Sequence, residues 1–355
     1  MNIVIIGAGV AGLGIGWRLL QAGCAVTILE RSQPAMGASW AAAGMLAVTA
    51  ELEDAAEPER QLAMRAHALW PAFAEELEDI SGRAIHLSAS GSLLLAADAA
   101  GLEAMRPRAE GDLRIVGADE ARGLVPLLGS PAGGLWSPRE AHVDNRALGE
   151  ALAIAFLKAG GTLYPNEAAV RFEVARDGKV TGVQTSYGRY RADAVLIAAG
   201  AWTGLHDNIP IQPVQGELIA LTPPDPAHLP GPVVWGEGVY CVPRHGRLLI
   251  GATVQEAGFD TSPTDAAREH LWSRAAKLMP AVAGWTLADH WAGLRPKSPD
   301  GLPLLGPAHD KGLFVAGGQY RNGILFSPAI AREMADLILG KGQVIPEFDP
   351  RRFSQ

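Results

Sequence analysis

A glycine-rich turn near the amino terminus constrains the fold more than any other feature of this sequence. The turn follows the β-branched run Ile3 to Ile6, opens a segment with helical spacing through Leu20, and forms a GxGxxG motif from Gly7, Gly9 and Gly12. A second apolar run, Ala25 to Leu29, completes a βαβ unit. In this context the glycines allow a tight turn, backbone approach to a pyrophosphate and close packing of helix against sheet. The segment therefore predicts a Rossmann-like dinucleotide-binding domain.

The residues around this turn indicate how a dinucleotide is held. The amino terminus of the helix, at Val10 and Ala11, offers amide donors and a favourable dipole to phosphates. Glu30 ends the second strand, where a carboxylate accepts hydrogen bonds from ribose hydroxyls and repels a 2′-phosphate. NADP is therefore disfavoured, whereas FAD and NAD both remain open on these residues alone.

Bulk properties narrow the class of protein. A chain of 355 residues with 48% hydrophobic content supports two substantial cores, or one core with an inserted smaller domain. The formal net charge of −8 includes no long charged run, so nucleic acid is an unexpected partner. Cys24 and Cys241 are far apart without a CxxC, which argues against a disulfide framework or a cysteine-rich zinc site. The opening residues lack a basic targeting region, and we expect a cytoplasmic protein without an integral membrane segment.

The order of patterns along the chain predicts an α/β protein in which a second, mixed α+β domain is inserted. Helical spacing covers Pro58 to Ile80, and a change of period after it suggests a domain boundary near residue 80. Later patterns predict helices at Asn145–Ala159, Thr264–Met279 and Ile324–Leu339, strands at Ala194–Ala199 and Gly312–Ala316, and a hairpin around Asp177-Gly178. We expect a discontinuous cofactor domain of residues 1–80, 143–204 and 296–355, and a substrate domain of residues 81–142 and 205–295.

Several longer motifs carry a family resemblance. They are the small-residue run at 37–46 (GASWAAAGML), AVLIAAGAW at 194–202, PVQGE at 213–217, residues 240–243 and 251–253, WAGLRP at 291–296 and QYRNGILFSP at 319–328. With these motifs, nearly the whole chain resembles the D-amino-acid-oxidase superfamily of flavoenzymes, and within it the glycine oxidases associated with thiamine biosynthesis. The last two motifs are the most specific, whereas GxGxxG occurs in many unrelated dinucleotide enzymes.

The resemblance implies a Rossmann-like FAD-binding fold and assigns cofactor roles to individual residues. Glu30 and Arg31 are expected at the adenosine ribose, Ala38 and Ser39 near the phosphates, and Ala43, Gly44 and Met45 near the isoalloxazine ring. The other residues expected at the cofactor are Val170, through its backbone at adenine, Gly200, Gln319, Tyr320, Arg321, Asn322, Gly323, Ile324 and Leu325. Sarcosine oxidases attach flavin through a cysteine near this last loop, but Gln319 and Tyr320 stand here, so we expect non-covalent FAD.

The same resemblance places Arg295, Arg321 and Tyr240 at the substrate. A guanidinium fork pairs well with the carboxylate of an amino acid, and a tyrosine hydroxyl donates to it. Structural ion pairs for the arginines and core packing for Tyr240 are the plain alternatives. His142 and Asp144 receive no role, and no histidine cluster indicates a metal.

The expected reaction is hydride transfer from the α-carbon of glycine or another small amino acid to flavin. Oxygen would reoxidise the flavin, and the products would be an imine, then glyoxylate or another α-keto acid, ammonia and hydrogen peroxide. Two enzyme alternatives remain: a dehydrogenase that passes electrons to a quinone or partner, and an oxidase for a bulkier N-substituted glycine. A flavin-carrying subunit without turnover is a further alternative, and family resemblance also predicts a homo-oligomer.

Overall fold

The computed structural model describes residues 1–49, 55–205, 209–225, 229 and 231–353. The helices are α1 (Val10–Gln21), α2 (Ala38–Ala41), α3 (Glu57–Ser81), α4 (Ala99–Met105), α5 (Ala118–Leu124), α6 (Asn145–Lys158), α7 (Asp265–Leu278) and α8 (Gly323–Ile338). The strands are β1 (Asn2–Ile6), β2 (Ala25–Leu29), β3 (Met45–Leu46), β4 (Ser92–Leu95), β5 (Arg114–Gly117), β6 (Gly133–Ser137), β7 (Ala141–His142), β8 (Thr162–Tyr164), β9 (Ala169–Val174), β10 (Val180–Thr185), β11 (Arg189–Arg191), β12 (Ala194–Ile197), β13 (Gln212–Thr222), β14 (Val233–Gly236), β15 (Val239–Arg244), β16 (Arg247–Gly251), β17 (Thr286–Lys297), β18 (Leu304–Pro307) and β19 (Leu313–Gly317).

A six-stranded sheet forms the centre of the first layer, in the order β18-β19-β12-β1-β2-β8. β1 pairs in parallel with β2 and β12, with Ile3 opposite both Val26 and Ala194, and β18 is antiparallel to β19. Both faces of β1 are buried, which explains its continuous apolar run. The Rossmann-like α/β fold expected from the GxGxxG context is thus confirmed.

Helices α1, α3, α6 and α8 pack together in one core on one side of this sheet. Their core contains the fully buried side chains of Trp17, Trp70, Phe156 and Phe326. The indole Nε1 of Trp70 donates to the carbonyl oxygen of Leu325 at 2.9 Å, which ties α3 to the first turn of α8. The three-stranded sheet β11-β10-β9 packs against the opposite face.

An eight-stranded mixed sheet forms the second layer, in the order β17-β13-β16-β15-β14-β4-β6-β5. The long antiparallel pair β13 and β17 runs from the pairing of Gln212 with Lys297 to that of Thr222 with Thr286. One face packs against α7 through residues such as Ile250 and Leu271. The other face, with Leu218 and Val242, packs against Ala41 and Ala43, so α2 and the residues after it lie next to this sheet.

The observed elements closely follow the sequence predictions for the long segments. The helix expected at Pro58–Ile80 spans Glu57–Ser81, and Thr264 caps α7 through a hydrogen bond from the amide of Ala267. We propose that the two sheets correspond to the two expected domains. The expected boundary between residues 295 and 296 falls inside β17, because that strand continues to Lys297. Within the described ranges, no helix is long and apolar enough to cross a membrane.

Candidate active site

A cavity of about 1240 Å³ is lined by both sheets. From the first sheet it meets the carboxyl ends of β1, β2 and β12, where ligands bind in open parallel sheets. From the second sheet it meets β13, β14, β15 and β17. A cavity of this size exceeds the usual range for one small ligand, so it has room for a dinucleotide and a substrate together.

Most residues expected at the site line this one cavity. They are Gly7, Gly9, Val10, Ala11, Glu30, Arg31, Ala38, Ser39, Ala43, Gly44, Met45, Val170, Gly200, Tyr240, Arg295, Gln319, Tyr320, Arg321, Asn322, Gly323 and Ile324. Gly12 and Leu325 do not line it. A Cβ at Gly12 would lie 2.0 Å from the carbonyl oxygen of Gly7, so Gly12 serves close packing of α1, and the side chain of Leu325 is buried in the core.

The glycine turn forms a corner suited to an anion. Gly7 has φ of +106°, and a Cβ there would lie 2.4 Å from the carbonyl oxygen of Ala198. Helix α1 then begins without a side-chain cap of its own, and the amide of Val10 donates to Oγ of Ser39 at 3.1 Å. The Ser39 hydroxyl hydrogen remains available to donate to a phosphate beside the free amides of the helix terminus.

The carboxylate of Glu30 is fixed in position by backbone amides. Ala8 donates to Oε2 at 2.8 Å and Ser32 donates to Oε1 at 2.9 Å. The hydroxyl of Ser32 also donates to Oε1 at 3.1 Å, and since a carboxylate accepts about four hydrogen bonds, one position remains for a ribose hydroxyl. Beside it, Cζ of Arg31 lies 3.4 Å from the ring centroid of Trp202. Burial lowers the pKa of Arg31, and the negative charge of Glu30 partly offsets this effect.

Residues 38–45, here called the cofactor segment, are held from behind by side chains from distant elements. Nδ2 of Asn145 donates to the carbonyl oxygens of Ser39 at 2.8 Å and Trp40 at 2.9 Å. The indole of Trp291 donates to the carbonyl oxygen of Ala41 at 3.0 Å. A helix as short as α2 is not stable on its own, so these tertiary contacts hold it in place.

Arg244 completes this support, and sequence reasoning missed it. Its guanidinium donates to the carbonyl oxygens of Ala43 and Val143 and to Oδ1 of Asn145. Burial lowers the pKa of Arg244 to about 10, and the carboxylate of Asp144 acts against this shift. Arg244 ends β15 at a turn, a position that usually indicates a solvated cation, so only its tertiary contacts reveal its role.

Asp144, which the sequence left without a role, caps helix α6. Its Oδ1 accepts from the amides of Arg146 at 2.9 Å and Ala147 at 3.1 Å, and Nε2 of His245 lies 2.8 Å from its Oδ2. An Asp directly before a helical pattern is an N-cap signal that could have been recognised from the sequence. His142 lies in β7, paired with Met45 of β3, and burial lowers its pKa to about 4, so its side chain is neutral near pH 7.

The substrate end of the cavity carries two arginines without a carboxylate partner among the described residues. Nη1 of Arg295 donates to the carbonyl oxygens of Thr253 at 3.1 Å and Gln215 at 3.4 Å. Arg321 is exposed to the cavity, and Cζ of its guanidinium lies 5.2 Å from the ring centroid of Tyr320. Charge-assisted hydrogen bonds to an anion are what this end of the cavity can supply.

Gly216 makes room for Arg295, because a Cβ there would lie 2.2 Å from Nη1. The ring of Tyr240 makes an edge contact with Trp235, with centroids 5.3 Å apart. Trp235 lines the cavity, packs in one cluster with Met45 and Tyr240, and was not expected from the sequence.

Two buried donors at the cavity lack a hydrogen-bond partner among the described residues: Nε1 of Trp235 and Nε2 of Gln319. A buried donor without an acceptor costs about 1–3 kcal/mol, so a ligand with acceptor atoms stabilises such a wall. The isoalloxazine ring of FAD carries carbonyl oxygens and ring nitrogens that accept hydrogen bonds. Together with the glycine turn and Glu30, this donor set fits FAD.

The amino terminus of α8 also faces the cavity, through Asn322, Gly323 and Ile324. Its amide groups and dipole favour negative charge at a ligand. Nδ2 of Asn322 donates to Oε1 of Glu59 at 3.1 Å. The pKa of Glu59 is raised, because the effect of burial is larger than the opposing effect of this hydrogen bond.

Metal and thiol chemistry receive no support from the described part of the chain. Among those residues, no group of three or more His, Cys, Asp or Glu side chains could hold a metal ion. Cys24 and Cys241 are free and buried, and burial raises the pKa of Cys241 to about 12. Such a thiol is inert.

Comparisons with known proteins show the family to which this chain is related. A profile of the family described as FAD dependent oxidoreductase matches residues 2–337. The glycine oxidase of Pseudomonas aeruginosa is 35% identical over 364 residues, covering 97% of this chain and 96% of that protein. The crystal structure of glycine oxidase from Geobacillus kaustophilus superposes with a TM-score of 0.92 at 34% identity, covering 99% of both chains.

A further relative is longer than this chain. The bifunctional protein ThiO/ThiG of Synechocystis sp. is 35% identical over 361 residues, and the match covers 99% of this chain. The chain spans about half the length of that relative, because the match covers 54% of it.

Proposed function

The chain belongs to the FAD dependent oxidoreductase family and is of the glycine oxidase type, and from this premise we propose that it oxidatively deaminates glycine or another small amino acid. The observation that carries the proposal is the shared cavity. Arg295 and Arg321, neither of which has a carboxylate partner among the described residues, line the same cavity as the dinucleotide turn. A small carboxylate with an oxidisable neighbouring carbon is the ligand that this combination suits best.

Residues at the cofactor end would hold FAD without a covalent bond. Glu30 and Arg31 would bind the adenosine ribose, the α1 terminus and Ser39 the phosphates, and the cofactor segment with α8 the isoalloxazine ring. When bound there, FAD supplies a hydride acceptor at N5. Cys241 is buried on the other face of β15, so it does not offer a thiol for covalent attachment.

Positioning is the main contribution of the protein to the reaction. Arg321 and Arg295 would pair with the substrate carboxylate, and the hydroxyl of Tyr240 would donate to it. Held by its carboxylate, the amino acid can present only its α-carbon and amine to the cofactor.

Acid–base chemistry has little part at the substrate end. Among the described residues, the ionisable side chains that line the cavity are Glu30, Arg31, Tyr240, Arg295, Tyr320 and Arg321. None of those near the substrate is a carboxylate or a histidine that could remove a proton from the α-carbon. The substrate would therefore react with its amine already neutral.

The balanced reaction consumes glycine, water and oxygen and yields glyoxylate, ammonia and hydrogen peroxide. The α-carbon loses a hydride and the nitrogen a proton to give an imine, water hydrolyses the imine, and oxygen takes up the two electrons and two protons as hydrogen peroxide. In line with the resemblance to thiamine-associated glycine oxidases, we propose that the imine can instead pass to a thiazole-forming enzyme. Cytoplasmic location and homo-oligomerisation stay predictions.

A bulkier N-substituted glycine is a second candidate substrate. Val254 lines the cavity, directly follows Thr253, whose carbonyl oxygen accepts from Arg295, and is 52% exposed, so it provides an apolar wall next to this arginine. Such a wall would favour an apolar substituent on the substrate nitrogen or α-carbon.

A substrate panel tests the proposal. Purified yellow protein is mixed in air with glycine, sarcosine and D-alanine, and peroxide and glyoxylate or the matching keto acid are measured with and without catalase. We expect peroxide and keto acid in equal amounts, fastest with glycine. Anaerobic bleaching of the flavin without peroxide in air would replace the oxidase with a dehydrogenase. Yellow protein that is inert to all three would contradict a small amino-acid substrate.

A further inference from the structure

Strand β15 begins at the cavity and ends behind the cofactor segment. Tyr240 lies near its start and Arg244 at its end. Side chains four residues apart on a strand point to the same face, and Tyr240 and Val242 indeed lie on the cavity face, opposite Val239 and Cys241. The strand that brings a substrate residue to the cavity thus also brings Arg244 to the cofactor segment.

Arg244 is more strongly constrained than a surface arginine. Only 10% of its side chain is exposed, and its guanidinium donates to carbonyl oxygens of Ala43 and Val143 and to Oδ1 of Asn145. The nearest anion, Oδ1 of Asp144, lies 4.0 Å from Nη1. A buried cation is retained only when several acceptors replace its lost hydration, so this set of contacts fixes the geometry of the guanidinium.

Asn145 extends the same connection to two more carbonyl groups of the cofactor segment. It is fully buried, and its Nδ2 donates to Ser39 and Trp40 while its Oδ1 accepts from Arg244. Gly44 leaves room for this arrangement: its φ is +77°, and a Cβ there would lie 2.8 Å from Nη2 of Arg244. Three carbonyl groups of the segment, at residues 39, 40 and 43, are therefore held by one linked pair of side chains.

We propose that Arg244 and Asn145 are positioning residues that fix the cofactor segment relative to the strand carrying Tyr240. This inference rests on the proposed function, because it concerns the separation between an amino acid bound at Tyr240 and FAD bound at the segment. Neither Arg244 nor Asn145 lines the cavity, so each would act through the residues that do. Hydride transfer depends steeply on this separation, and a misplacement of about 1 Å can cost about 100-fold in rate.

The test compares Arg244→Lys and Asn145→Ala with Arg247→Lys as a matched control. Arg247 lies in the same hairpin, opposite Arg244, but it is exposed. Each protein is saturated with FAD and mixed anaerobically with glycine in a stopped-flow instrument, which separates the limiting rate of flavin reduction from the dissociation constant of glycine. The FAD dissociation constant and the visible circular dichroism of the bound flavin are also measured.

We expect both variants to lower the limiting reduction rate about 10- to 100-fold, with the glycine dissociation constant within about threefold of the parent protein. The FAD dissociation constant should rise and the flavin dichroism should change, whereas Arg247→Lys should leave every value within about twofold. An unchanged reduction rate with only a lower melting temperature would overturn the proposal, since the pair would then be merely structural. A raised glycine dissociation constant with a normal reduction rate would overturn it as well.

Failure of the proposed function gives a different pattern. If glycine, sarcosine and D-alanine all fail to reduce the parent flavin, the substrate assignment is wrong, but the flavin measurements still decide the positioning role. Equal FAD affinity and equal dichroism in Arg244→Lys, Asn145→Ala and Arg247→Lys would then overturn it. Should Arg244→Lys not yield soluble protein, Asn145→Ala removes the two bonds to Ser39 and Trp40 while keeping the buried cation.

Discussion

At the end of the cavity that would hold the adenosine and the phosphates, the polar groups are largely paired with one another, whereas at the end that would hold the isoalloxazine ring and the substrate several are not. Glu30 is fixed by the amides of Ala8 and Ser32, and Ser39 accepts from Val10. At the other end Arg321 has no carboxylate partner, and Nε1 of Trp235 and Nε2 of Gln319 have no acceptor among the described residues. From this difference we infer a preformed site for adenosine and phosphates beside a site that the flavin ring and the substrate complete.

The largest effect should come from a substitution that strains the backbone of the glycine turn at the cofactor end. Gly7→Ala places a Cβ 2.4 Å from the carbonyl oxygen of Ala198 and forces alanine into φ of +106°. We expect FAD affinity to fall by more than about 150-fold, because such a conformation costs about 1–3 kcal/mol and the backbone clash adds to that cost. FAD content and affinity of the soluble protein provide the measurement. Gly188→Ala, where a Cβ meets nothing within 4 Å, is the control, and equal FAD binding in both would contradict the preformed turn.

A pH effect of roughly 3 kcal/mol should come from His142, behind the cofactor segment. The pKa of His142 in the folded protein is about 4, below the ordinary value of 6.5. Between pH 4 and pH 6.5 this side chain is therefore protonated in the unfolded chain and neutral in the folded protein. The free energy of unfolding should therefore fall as pH falls from 6.5 to 4, by about 1.4 kcal/mol per unit of pKa difference.

Urea unfolding of His142→Gln and of His270→Gln, an exposed control, measures this effect at pH 7.5 and 4.5. We expect the fall in stability to shrink by about 2–3 kcal/mol in His142→Gln only. The same pH dependence in both variants would show that His142 is protonated in the folded protein.

The substrate end should respond next. Arg321→Ala should raise KM for a small amino acid about 10- to 150-fold, because a charge-assisted hydrogen bond contributes about 1.5–3 kcal/mol. FAD should stay bound, since the cofactor end keeps its own pairs. Steady-state kinetics and flavin absorbance check both parts, with the exposed Arg176→Ala as control. Unchanged KM, or loss of FAD with unchanged KM, would remove Arg321 from the substrate site.

The smallest effect tests whether Nε1 of Trp235 donates a hydrogen bond to a ligand or whether the indole only packs against its neighbours. Trp235→Phe removes the partnerless Nε1 and keeps an aromatic ring, so the ligand-free protein should gain about 1 kcal/mol of stability. Affinity for FAD or for the amino acid should fall about two- to tenfold, because the ligand loses a donor. Lower stability with unchanged affinities would mean that the indole only fills space beside Tyr240.

The two ends of the cavity also differ in how well the sequence predicts them, because their residues lie at different separations along the chain. The glycine turn and Glu30 depend on residues close in sequence, so local patterns reveal them, and both proved to line the cavity. Arg295, Arg321 and Tyr240 come from distant strands and loops, and only family resemblance predicted that they would meet.

Arg244, Asn145 and Trp235 could not be predicted, because their roles depend on contacts across about 100 residues of sequence, such as that of Arg244 with Asn145. Gly12 belongs to the recognised motif, yet it packs against Gly7 and does not line the cavity. The motif thus predicted one corner of the cavity while leaving open which of its members line it.

The most direct test of the central claim compares an amino acid with the amine that lacks its carboxylate. Oxygen-free yellow protein is mixed with glycine and, separately, with methylamine at equal concentration of neutral amine, and flavin absorbance is followed. The account predicts rapid bleaching with glycine and at least about a 100-fold slower reaction with methylamine, since two arginines and Tyr240 orient the carboxylate. Equal rates with both amines, or bleaching by methylamine alone, would contradict a carboxylate-binding amino-acid oxidoreductase.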